Sequence, residues 1–297
     1  MRIVDPHHHL WDRGLHHYPW LAAPTISGLV GDTTLLCRNY LLADFMADAA
    51  PFELARSVHL QAEMAHDLAL AETRWLQRIA DAPGSRGFPH GIVAYADLAD
   101  PQVDRMLEAH AAFANTRGIR QILNRHRDPG VSFVDRDYMR EDVWQQGFRR
   151  LRAHGLSFDM QLYAPQMVDG AATARRHPDT QIIINHTGMP IDRDLEGLTA
   201  WRNGMRGLAA CPNVAVKISG LGMVDHHWTV ESIRPFVLET IDMFGTKRCL
   251  FASNFPVDRL YSDYAGLWRA FDILTAGFSA DERAGLFHNN ALRLYRL

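Results

Sequence analysis

The sequence predicts a (β/α)8 barrel, and three observations carry that prediction. Short strand-like runs recur along the chain, several of them followed by a helical stretch. Eight such runs in 297 residues match the strand count and usual size of this fold. After the first run the chain holds histidines, where a doubly wound sheet would usually carry a glycine-rich phosphate turn.

The first run, 3–9, opens with Ile3-Val4 and leads into His7-His8-His9. Side chains alternate along a strand, so His7 and His9 share one face and His8 takes the other. The second run, 56–63, ends in Gln61 and Glu63, which the same alternation puts on one face. A helical pattern over 67–80 follows, with Leu68, Trp75 and Leu76 among its apolar positions. The third run, 90–97, precedes a helix near 102–114. The fourth, 118–123, leads into a loop rich in Arg, Asp and Gly and then a helix near 142–154. Runs at 157–163, 181–186, 214–219 and 249–256 complete the set. Residues 18–39 carry Pro19, Trp20 and Pro24 and read as a long first βα loop, able to cover part of the barrel mouth. With no repeat or low-complexity segment visible, the chain reads as one domain over residues 1–297.

Hydrophobic residues make up 47% of the chain and the net charge is −3, so no basic surface points to nucleic acid or an anionic membrane. No apolar run is long enough to span a bilayer or to act as a signal. Cys37, Cys211 and Cys249 are odd in number and lack zinc or redox spacing, which suits reduced thiols in the cytoplasm. Nothing in the sequence reports the oligomeric state.

In this fold the chemistry collects at the C-terminal strand ends. Those ends supply His7 and His9, Gln61 and Glu63, Arg120 with Asn124, Asp159, Gln161 and Tyr163, His186, Lys217, and Ser253 with Asn254. A purely structural core has no use for them, because an unpaired buried charge is costly. Plainer readings stand beside this one. His186 precedes Thr187-Gly188 and also suits a loop hydrogen bond. Lys217 lies between Val216 and Ile218, and we expect it to point inward as a site cation rather than outward between helices. Glu63 equally suits a helix entry, and Asn254 a turn before Phe255-Pro256. Asp258 reads as a surface or loop group.

Taken together these residues resemble the amidohydrolase superfamily, and within it the amidohydrolase 2 branch of sugar-acid lactonases. The resemblance covers the whole chain. It rests on Val4-Asp5-Pro6-His7-His8-His9-Leu10-Trp11, Tyr18-Pro19-Trp20-Leu21, Val58-His59-Leu60-Gln61-Ala62-Glu63 and Gly118-Ile119-Arg120. It continues through Asn185-His186-Thr187-Gly188-Met189-Pro190, Val216-Lys217-Ile218-Ser219-Gly220-Leu221 and Leu250-Phe251-Ala252-Ser253-Asn254-Phe255-Pro256-Val257.

The resemblance implies a barrel hydrolase that opens lactones with water. His7 and His9 match the family's first-strand pair, and His186 its later-strand histidine. Asn254 stands where the wider superfamily usually has an aspartate that takes the proton of the attacking water and often binds metal. An amide cannot act as a carboxylate base. Two mechanisms follow. In one, His7, His9 and His186 hold a divalent metal, zinc first among them, with a position open for water or the carbonyl oxygen. In the other, metal is dispensable, the histidines act as donors or bases, and Lys217 supplies charge at the oxyanion. His186 is the first candidate base, with Asp159 and Glu63 as carboxylate alternatives.

A small-molecule sugar lactone is the expected partner, with Trp11, Trp20, Gln61, Glu63, Arg120, Gln161 and Tyr163 as its binding residues. The resemblance puts L-fucono-1,5-lactone first and L-rhamnono-, L-galactono- and D-arabinono-lactones next. A pyrone dicarboxylate would need several converging arginines, for which Arg120, Arg125 and Arg127 are available. A metal-dependent decarboxylase and a non-catalytic sugar-acid-binding barrel are the remaining readings. Asn254 counts against the first and for the second.

Overall fold

The computed structural model describes residues 1–297. Its main sheet has eight parallel strands in chain order. They are β1 Arg2–His8, β2 Glu53–Leu60, β3 Gly91–Tyr95, β4 Thr116–Ile122, β5 Ser157–Gln161, β6 Ile182–Ile184, β7 Val214–Ile218 and β8 Cys249–Phe251. The ring closes through a parallel bridge between His8 and Phe255. There the His9 N–H donates to the Phe255 carbonyl at 2.7 Å and the Asn254 N–H to the His7 carbonyl at 2.8 Å. This is the (β/α)8 barrel expected from the eight runs.

Helices fill the connections: α1 Leu42–Ala49, α2 Ala69–Asp81, α3 Val103–Ala111, α4 Asp142–Arg150, α5 Met167–Arg176, α6 Leu195–Ala209, α7 Leu221–Val224, α8 Val230–Phe244, α9 Tyr264–Leu274, α10 Ala280–Ala284 and α11 Asn290–Tyr295. None of them is long and apolar enough to cross a membrane.

Strand alternation sorts the core into two layers. Ile3, Ile92, Ile119, Phe158, Ile182, Val214 and Cys249 face the helices in one large apolar cluster. Val4, Val58, Leu60, Val93, Ile183, Ala215 and Leu250 fill the inside of the ring, where Ala291, Leu294 and Tyr295 of α11 close it from below. The apolar filling occupies the lower part of the interior. Above it the inward positions turn polar, which places the chemistry at the C-terminal strand ends.

Several strand boundaries differ from expectation, and at the C-terminal ends of β2 and β8 the reason is physical. β2 starts and stops earlier than 56–63, and β8 stops at Phe251 rather than Pro256. Beyond each strand the chain reaches a left-handed residue, Glu63 (φ 53°) and Asn254 (φ 58°), which no strand can contain. The first loop lends Trp20, Leu29 and Val30 to the lining of the mouth cavity. It carries a short antiparallel pair, Ile26–Ser27 with Gly31–Asp32.

Candidate active site

β1 delivers its histidines by alternation. His8 points outward, with its Nε2 2.9 Å from the Ser57 hydroxyl and its ring stacked on Phe45 at 3.9 Å. His7 and His9 point inward, with ring centroids 5.1 Å apart, and His7 lies 4.5 Å from the ring of His186. His9 donates from Nδ1 to the Leu60 carbonyl at 2.8 Å, which leaves Nε2 as the free acceptor. His186 is held through Nδ1 by the Ser219 hydroxyl at 3.0 Å. Neither ring nitrogen of His7 has a partner.

Burial holds all three pKa values well below the ordinary histidine value. Positive charge adds to it, from Lys217 beside His7 and from Arg120 beside His9 and His186. The three imidazoles are therefore neutral at physiological pH.

Sharp turns aim the other side chains. Glu63, His186, Thr187 and Asn254 all have φ between 53° and 59°. Each such residue stores strain of about 1–3 kcal/mol, which persists only where the surroundings enforce it. Glu63 receives the Gln61 amide, donates its own backbone N–H to Gln61 Oε1 at 2.7 Å, and lies 3.4 Å from His66. Burial pushes its carboxyl up, but His66, Arg120 and Gln61 outweigh that and keep it below the usual range. It is ionised. Arg120 donates to the Gln61 carbonyl and, at 3.2 Å, to Gln161 Oε1, while its Nε has no partner.

Beneath this layer lies a second polar cluster. Lys217 donates to Asp159, and Asn185 (2.9 Å) and Tyr295 (2.8 Å) donate to the same carboxylate oxygen. Lys217 also reaches the Pro6 carbonyl at 3.4 Å. Burial lowers its pKa to about 8, against the pull of Asp159. Lys217 does point inward, but it is committed to Asp159 below the cavity. The cation that faces the cavity is Arg120.

The cavity at the barrel mouth has a volume of about 310 Å³. His9, Glu63, Arg120, Gln161, His186 and Asn254 supply its polar groups, with Thr25, Ser27 and Thr33 of the first loop. Its apolar wall includes Leu29, Val30, Ile122, Phe133, Met223 and Val257, with Trp20 beside them. Trp20 is set by a 2.8 Å bond from its indole N–H to the Ala62 carbonyl. Of the expected catalytic and binding residues, Trp11, Gln61, Tyr163, His7, Lys217 and Asp159 stand outside the lining. Gln61 braces Glu63, Tyr163 donates to the Val131 carbonyl at 2.7 Å and so ties down the loop after β4, and His7 sits behind His9 and His186. Arg125 and Arg127 line a separate charged cleft of about 560 Å³ and are not available to a ligand in the barrel mouth.

One residue overturns its expectation. The sequence assigns Asp258 to the surface or a loop, yet in the short turn Val257–Leu260 it is only 2% exposed, and neither carboxyl oxygen meets the geometry of a hydrogen bond. Burial raises its pKa to about 8. The one sequence signal for it is its position four residues after Asn254.

No three His, Cys, Asp or Glu side chains come together as a metal-holding group. Arg120 and Lys217 already place positive charge beside the histidines, and Asn254 adds no negative charge to offset another cation. The residues as arranged do not fit the three-histidine zinc site expected from the sequence.

The fold is a (β/α)8 barrel with a polar cavity at the C-terminal strand ends. The chain belongs to the amidohydrolase family, which it matches over residues 4–297. It is 48% identical to y4mH, an uncharacterised protein of Sinorhizobium fredii, over 99% of this chain and 98% of that one. It is 28% identical to the L-fucono-1,5-lactonase of Burkholderia multivorans, over 99% of this chain and 96% of the relative. A crystal structure of a Burkholderia multivorans amidohydrolase with bound zinc superposes with a TM-score of 0.81 at 26% identity, covering 100% of both chains.

Proposed function

We propose that this protein hydrolyses a sugar aldonolactone to the aldonic acid, with L-fucono-1,5-lactone as the first candidate substrate. The observation that carries the reading is the meeting of neutral imidazoles, the Arg120 guanidinium and the ionised Glu63 in one cavity. The relative named L-fucono-1,5-lactonase supports the choice of substrate class.

The chemistry needs an acceptor for the water proton and a positive group at the oxyanion. His186 is neutral and takes the proton as water attacks the lactone carbonyl carbon. Arg120, with an unpartnered Nε–H, stabilises the negative charge that develops on the carbonyl oxygen. The ring C–O bond then breaks, and the departing alkoxide takes the proton back from the imidazolium. Water is consumed and one carboxylic acid forms. Glu63 and Gln161 bind sugar hydroxyls, and Trp20 with the apolar wall covers the less polar face of the ring.

A pyrone dicarboxylate suits the cavity less well, because Arg120 is the one arginine in its lining and Glu63 would repel a carboxylate. The test is a pH-indicator screen of aldonolactones on metal-analysed protein, with and without chelator. Acid release from L-fucono-1,5-lactone or a stereochemical neighbour in both lanes supports the reading. Loss of activity in the chelator lane, restored by zinc, overturns the metal-free route. Silence across the panel overturns the lactonase reading and leaves a different acid substrate, the decarboxylase reading or a barrel that binds without reacting.

A further inference from the structure

We propose that Asp258 is a positioning residue for Asn254, holding its carboxamide with the oxygen turned to the cavity as an acceptor for water or a substrate hydroxyl. The inference rests on the lactone reading above.

Asn254 cannot remove a proton, so its use at the end of β8 depends on which atom it presents. Its amide nitrogen has only a weak partner, the Met223 sulfur at 3.6 Å. Such an amide turns toward any better acceptor behind it. Asp258 stands there, one turn further along, with its own N–H donating to the Asn254 carbonyl at 3.2 Å. Neither the Asn254 amide nor the Gly220 N–H reaches Asp258 with full hydrogen-bond geometry, but both lie close enough to favour its ionised form.

The turn after β7 is built around this arrangement. Gly220 has φ +62°, and a Cβ there would lie 2.5 Å from His186 Nδ1. A Cβ on Gly222 would lie 3.0 Å from Asp258 Oδ1 and 2.8 Å from Tyr261. One short segment therefore makes room for the candidate base on one side and for Asp258 on the other. Tyr261 also flanks Asp258, and His226 stacks on Tyr261 at 4.5 Å. A carboxyl left 2% exposed without a firm partner is expensive, and a structural role alone would be better served by an apolar group.

Two measurements test this. The first needs no substrate: carbon NMR of the aspartate carboxyls in the wild type and in Asn254→Ala. Asp258 is expected to titrate near pH 8, in line with its raised pKa. In Asn254→Ala the midpoint should rise further, because a donor to the charged form has gone. A midpoint in the ordinary carboxylate range, or one that Asn254→Ala leaves unmoved, overturns the proposal. The second uses a lactone found in the screen. Asp258→Asn should lower kcat roughly tenfold or more with KM within about twofold. The same change made on top of Asn254→Ala should cost nothing further. Equal losses in both backgrounds, or no loss in either, overturn it. Should no lactone be turned over, the functional reading fails, and the NMR titration alone decides whether Asp258 acts on Asn254.

Discussion

Arg120 and Lys217 are both inward-facing cations, yet they answer to different constraints. Arg120 lines the cavity and its buried Nε–H has no protein partner, so it is placed to act on a ligand. Arg120→Met should lower kcat/KM by about 10²–10³-fold while the protein stays folded, checked by kinetics beside circular dichroism. His186→Ala should cost about 10²-fold in the same assay, because it removes the proposed proton acceptor. Lys217 is fully buried against Asp159. Lys217→Met leaves that carboxylate unpaired inside the barrel, and urea unfolding should show a loss of about 3–5 kcal/mol. A Lys217→Met protein with full stability and a selective loss of kcat would return Lys217 to the reacting centre.

At the scale of elements, the mouth loop over 18–39 is fastened by the segments that follow β7 and β8. His226 donates to the Leu29 carbonyl at 2.9 Å, and the Tyr261 hydroxyl donates to the Val30 carbonyl. Leu29 and Val30 also line the cavity. Tyr261→Phe should raise KM several-fold with little change in kcat, and should speed cleavage of the loop in limited proteolysis. This pattern of ties marks where the sequence was legible. Strand alternation gives the opposite facing of His7 and His8, although the register of β1 shifts between Ile3 and Val4 and between Asp5 and His8, so that Val4 and His7 both face inward. It breaks down past the strand ends, where left-handed residues re-aim Glu63 and Asn254, and no periodicity forecasts a positive φ at a non-glycine. The inward direction of Lys217 was legible from its apolar neighbours, but its partner Asp159, 58 residues away, was not. Asp258 was missed because the short turn Val257–Leu260 buries a residue that local composition assigns to the surface.

For the whole molecule, burial of neutral histidines sets the response to acid. His7, His8, His9, His59 and His186 are all depressed from the ordinary value of 6.5. Below that pH the unfolded chain takes up protons that the folded one refuses, so their contribution to stability is complete above about pH 6.5 and is lost as pH falls. Asp5, Glu72 and Asp258 have raised values and work in the opposite sense, gaining stability on acidification. The histidines outnumber them. The urea midpoint should therefore be lower at about pH 4.5 than at about pH 6.5, and an unchanged or higher midpoint would contradict this balance. The closing bridge from His8 to Phe255 and the plug formed by α11 have a consequence for how the molecule is made. Synthesis runs from the N-terminus, so β1 emerges first with its histidines and an unpaired edge. It must wait for residues near 255 to close the ring, and for Tyr295 to seat beneath Asp159. During that interval the nascent protein exposes the surfaces that other chains pair with most readily. Helper proteins that shield such edges should raise the yield of folded product more than they change its final stability.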